Sequence, residues 1–145
     1  MVPASKSVIA IIPISKTNGA TATGEMIDTK GFDYAEISII ASTADVVSNT
    51  LSVLKIEEGD TTSSVATFAG AVSGTDYTIA TNAYTSTSNQ NVWRFGVDLR
   101  GRKRYLRVSA SPQTTMVIGG VAHLHRAEKM PATAAEAGAL NAVYV

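Results

Sequence analysis

The chain is predicted to be all-β: an antiparallel sandwich of jelly-roll type, ending in a short helical or extended C-terminal tail. Three observations predict this. Apolar and polar residues alternate with period two along almost the whole sequence. A 3.6-residue period is nearly absent. Turn signals separate about eight short runs rich in Val, Ile, Thr and aromatics. At 145 residues the chain is read as one domain, 1–145, with an N-terminal arm over 1–7 and a tail over 131–145.

Taken in order, Val8 to Ile14 reads as a first strand. Pro13 lacks a ladder donor and so belongs at a sheet edge or a strand end. Lys6 before this apolar run imitates the start of a signal peptide, but Pro13 interrupts the run and no clean cleavage pattern follows. The run is also far short of the ~20 apolar residues of a membrane span. Asn18-Gly19 marks a turn. Tyr34 to Ala41 and Thr50 to Glu57 are strands, the second ended by Glu58-Gly59-Asp60. Shorter strands are expected around Ser64 to Phe68 and Tyr77 to Ala80. Loops rich in Ser, Thr and Asn are expected at Gly59 to Ser64 and Tyr84 to Asn91.

The most constrained local reading is a hairpin from Val92 to Ser111. Trp93, Phe95, Val97 and Leu99 share one strand face; Leu106, Val108 and Ala110 share a face of the next. A type II′ turn at Gly101-Arg102 would set Val97 opposite Leu106, Phe95 opposite Val108 and Trp93 opposite Ala110. Thr114 to Leu124 forms the last long strand, where Gly119-Gly120 signals a bulge or a close backbone approach. Beyond Pro131, Thr133-Ala134-Ala135-Glu136 has capping-box spacing, so one helical turn is expected before Gly138. The small-residue tail has little to bury on its own domain. Both termini are therefore expected to lie along neighbouring chains.

Composition narrows the function. With 0 Cys there is no thiol nucleophile, disulfide or cysteine metal site, and synthesis in a reducing cytoplasm is expected. Twelve basic residues balance twelve acidic ones, which speaks against a nucleic-acid partner. No membrane-crossing segment is expected. His123 and His125, at i and i+2, would share a strand face as a metal pair does. Glu128 beside them gives a faint cupin-like string, but its spacing is wrong and no third histidine exists. They are read as ordinary polar residues, with no metal and no cofactor expected. No Gly-x-Ser-x-Gly elbow, P-loop or dinucleotide fingerprint occurs. Asp33, Asp45, Asp60, Asp76 and Asp98 stand beside turns, where aspartate caps backbone groups. The expectation is no catalytic residue and no enzyme.

The densest charge is Arg100, Arg102, Lys103, Arg104 and Arg107, opposed locally by Asp98. These five are the candidate protein-contact residues, since arginine forks match carboxylates on a partner. The competing reading is a solvated tip that discourages stray edge pairing.

Asp98-Leu99-Arg100-Gly101-Arg102-Lys103-Arg104-Tyr105-Leu106-Arg107-Val108 resembles a segment of small head proteins of tailed bacteriophages. Gly31-Phe32-Asp33-Tyr34-Ala35, and Arg126-Ala127-Glu128 before the small-residue tail, resemble the same group. The group is the capsid decoration, or cement, proteins, and the similarity runs over most of the chain from Gly31 onward. It implies a β-rich structural virion protein on the capsid surface. Its implied partners are the major capsid protein and further copies of itself in a homotrimer. The motifs are structural and carry no ligand residues. A receptor- or glycan-binding module of a head spike or fibre, contacting through Tyr84 to Asn91, is the alternative.

Overall fold

The computed structural model describes residues 5–42, 51–67, 92–126 and 142–144. They form ten strands: β1 (Ser5–Lys16), β2 (Ala22–Thr23), β3 (Ile27–Asp28), β4 (Tyr34–Ala41), β5 (Leu51–Gly59), β6 (Ala66–Thr67), β7 (Val92–Asp98), β8 (Tyr105–Pro112), β9 (Met116–His125) and β10 (Ala142–Tyr144). Sheet A has the order β1-β9-β4-β7-β10. Sheet B has the order β2-β8-β5-β6, with β3 also on β8. Every pairing is antiparallel except β10 on β7, which is parallel. Among the described residues there is no helix.

The alternation explains the layers. Ala35, Ile37 and Ile39 of β4, Trp93, Phe95 and Val97 of β7, and Ile118, Ala122 and Leu124 of β9 point inward from sheet A. Leu54 and Ile56 of β5 and Leu106, Val108 and Ala110 of β8 meet them from sheet B. All belong to one buried cluster, as a two-sheet sandwich requires. Trp93 is 8% exposed, as its place on the apolar face predicts.

The expected hairpin is corrected. β7 pairs with β4 and β10, whereas β8 pairs with β5, β2 and β3. Val97 therefore does not oppose Leu106 within a sheet; its ladder partner is Ala35. The link between the strands is a corner that carries the chain from sheet A to sheet B. Arg102 N donates to Leu99 O (3.1 Å), and Gly101 has φ +81°. Glycine thus sits third in the turn, the type II position, not second as a type II′ hairpin needs. Two strands with inward apolar faces look alike in sequence whether they are neighbours or face each other across the core. β7 takes its ladder from β4, and β8 takes its own from β5.

β1 lies at the edge of sheet A, where Pro13 requires it to be. Its register shifts between Ile9 and Ile11 and again between Ile11 and Ile14. These irregularities turn consecutive Ala10 and Ile11 both into the core. Gly119 and Gly120 are the close approach expected of them. A Cβ on Gly119 would stand 3.2 Å from Pro13 Cγ, and one on Gly120 would stand 2.5 Å from Ile39 Cδ1.

Of the expected N-terminal arm, Ser5, Lys6 and Ser7 belong to β1 and pair with His125, Leu124 and His123; residues 1–4 lie outside the described residues. Of the expected tail, Ala142, Val143 and Tyr144 pair with Arg94, Phe95 and Gly96 of the same domain. The capping box at Thr133 to Glu136, the strand at Tyr77 to Ala80 and the loop at Tyr84 to Asn91 lie outside the described residues.

Candidate protein-contact surfaces

Local sequence predicts only Asp98 as a counter-charge for the basic corner; folding brings four more. Arg100 Nε donates to both oxygens of Asp98 (2.9 and 3.1 Å) while Arg100 N donates to Oδ1 (3.0 Å). Arg102 lies 3.7 Å from Glu58. Lys103 reaches Asp60 at 3.4 Å with its ammonium and donates its backbone N–H to Glu58 at 3.1 Å. Arg104 forks onto Asp28 through Nε and a terminal nitrogen (2.9 and 2.7 Å) and lies over the Tyr105 ring (4.9 Å). Arg107 donates to Glu57 at 2.9 Å.

Every one of the five cations therefore faces a carboxylate of its own chain. Hydrogen bonds from Arg104 and Arg100 hold the Asp28 and Asp98 carboxyls down at about 2. Glu57 is the most enclosed acid among the described residues, and burial alone would raise it. The Arg107 and Ser109 hydrogen bonds outweigh burial and lower it, with Lys55 adding its charge at 3.5 Å.

These pairs differ in what they offer a partner. The Arg100 side chain is 77% exposed and can exchange its carboxylate; Arg107, at 28%, is tied into sheet B. Asp28, Glu57, Glu58 and Asp60 stand far from the basic run in sequence, and β3, β5 and the residue just past β5 deliver them. No local spacing links them. The signal available was the acidic Glu57-Glu58-x-Asp60 run at a strand end.

A second surface was not anticipated. On the outer face of sheet A the registers align side chains in rows across β1, β9, β4 and β7. One row holds Pro13, Gly119, Ile40 and Val92; the next holds Ile9, Val121, Ser38 and Arg94. Val117, opposite Ser15, begins the row before them. Ile9, Ile40, Val92 and Val117 are each about half exposed. Ile40 and Val117 line a hollow of about 350 Å³ together with Pro13, Gly119 and Val121 among others. Gly119 forms its floor, since any side chain there would meet Pro13.

Toward the other end the face turns polar. His123 Nδ1 shares a hydrogen bond with Ser7 Oγ (2.9 Å), and the His125 ring stacks on Tyr34 at 6.2 Å. The two imidazoles stand side by side, 6.3 Å between centroids, as their i, i+2 spacing predicts. Glu36, opposite His123 in register, is paired with Arg94. Among the described residues no three His, Cys, Asp or Glu side chains converge on one point, and no helix is long and apolar enough to cross a membrane.

Compared with known proteins, the chain matches no protein-family model, and no curated protein matches it.

Proposed function

We propose that this chain is a structural virion protein, not an enzyme, that decorates and stabilises the capsid of a tailed bacteriophage by bridging major capsid protein subunits, with its copies arranged as a homotrimer. The observation that carries a binding role is the half-exposed aliphatic group around the Gly119 hollow. Half-exposed aliphatic side chains gathered on one sheet face are what protein-binding surfaces present. The resemblance of the Asp98 to Val108 segment to phage head proteins supplies the identity of the assembly.

Packed DNA pushes outward on a shell, and area buried across subunit seams opposes that load. Each contact need only be moderate, because many tethered copies act together. The exposed ion pairs at Arg100, Lys103 and Arg104 contribute only weak, salt-sensitive contacts, so apolar and backbone contacts supply most of the affinity. The test is to add purified protein to expanded heads that lack it and to measure the temperature at which they rupture. Binding with a raised rupture temperature supports the reading; heads that neither bind the protein nor gain resistance reject it.

A further inference from the structure

We infer that the aliphatic end of the outer face of sheet A is where copies of this chain meet one another. The inference rests on the reading of the chain as an assembly protein and assigns one surface of that assembly. It follows from the shape, charge and size of the face.

The shape is self-complementary. Ile40 and Val117 stand up beside the hollow above Gly119, so a ridge and a recess of aliphatic character lie next to each other on one surface. A second copy brings both elements, and each ridge can enter its neighbour's recess, the arrangement identical subunits use in closed assemblies. The recess exists because Gly119 and Pro13 face each other where β1 is irregular. Sequence features that cost β1 regular pairing thereby create a seat.

Charge permits identical faces to approach. Along the four strands, Arg94 and Glu36 are paired with each other, and Asp98 at the far row is paired with Arg100. The rows around the hollow hold Ile9, Pro13, Ile40, Val92, Val117, Val121 and small polar residues, with no other ionised group. A copy of this face meets no like-charge repulsion there. An acidic or basic partner surface would find nothing opposite to pair with and would lose its hydration without recompense.

Size is also suitable. Four strands about 4.8 Å apart and five rows of alternate residues make a face of about 600 Å² in projection. With side-chain relief this approaches the ~800 Å² per partner of a stable interface. The aliphatic rows lie at one end as its dry part, and the Ser7, His123 and Glu36 row forms a polar rim.

The experiment is sedimentation of the full chain, as wild type and as Ile40→Glu and Val92→Lys, beside Thr62→Ala on the exposed loop after β5 as a control. Thermal melts establish that each variant is folded. The expected result is an assembled wild type and control, with both face variants folded and dissociating at least tenfold more readily. A wild type that stays monomeric at the highest reachable concentration overturns the inference, as do folded face variants that remain fully assembled. Capsid-head binding, measured separately, distinguishes that failure from failure of the decoration reading. Monomers that still bind and stabilise heads would leave decoration standing and remove only this interface.

Discussion

The outer faces of the two sheets are built on the same alternation and end up opposite in character. On sheet B, Lys55 and Glu57 of β5 stand across from Ser109 and Arg107 of β8, and Glu57 receives hydrogen bonds from both of those partners. Ser52 donates to Ser111 O, and Thr21 Oγ1 shares a hydrogen bond with Ser111 Oγ. Polar groups on this face satisfy one another. On sheet A the equivalent outward positions at one end carry Ile9, Ile40, Val92 and Val117, with nothing in the described residues covering them as a core would. The inward half of an alternating strand secures the fold; the outward half reveals what the surface is for.

The largest expected effect contrasts two adjacent residues of β4. Ile39 is fully buried and Ile40 is about half exposed. Ile39→Ala should cost about 2–5 kcal/mol in urea unfolding, because it removes methyl groups from a packed interior and leaves a cavity. Ile40→Ser in the isolated chain should stay within about 0.5 kcal/mol. Equal losses at the two sites would erase the distinction between the faces.

Next in size is the centre of the polar face. Glu57→Gln should lower stability by about 1–3 kcal/mol, since one charged acceptor serves Arg107 and Ser109 in a largely enclosed site. A neutral result in chemical denaturation would mean that water replaces the carboxylate freely and that sheet B's outer face is no better satisfied than its surroundings.

Acid should act on the charged corner before it acts on the aliphatic patch. Asp28 and Asp98 have folded values near 2, below the ordinary 3.8. A depressed acid contributes stability above its unfolded value and loses it as pH falls through the folded one. Melting temperature should therefore drop between about pH 4 and pH 2. Asp28→Asn should flatten part of that slope, and an unchanged slope would show that the Arg104 fork contributes nothing to folding.

The smallest effect belongs to the most exposed pair. Arg100→Ala should leave the urea unfolding midpoint almost unmoved, and the small change should shrink further in high salt. A larger loss would reveal that the corner between the sheets depends on this ion pair and not on its turn geometry.

The sequence by itself determined which residues face the core. Trp93, Phe95, Val97, Leu106, Val108 and Ala110 are buried as their alternation requires, Pro13 sits on an edge strand, and Gly119-Gly120 marks a close approach. Each of these depends on the residue's own chemistry: a side-chain period of two, a missing N–H, a missing Cβ. Tertiary structure alone decided which strand each one pairs with. β7 and β8 are separated by only six residues, 99–104, yet lie in different sheets: either placement buries the same faces, and β7 takes its ladder from β4 while β8 takes its own from β5. The counter-charges of the basic corner likewise come from β3, β5 and the residue just past β5, up to 76 positions away. The aliphatic patch escaped notice for the same reason. Ile9, Ile40, Val92 and Val117 are single outward residues in four separate runs, and they become one surface only when β1, β9, β4 and β7 are laid side by side.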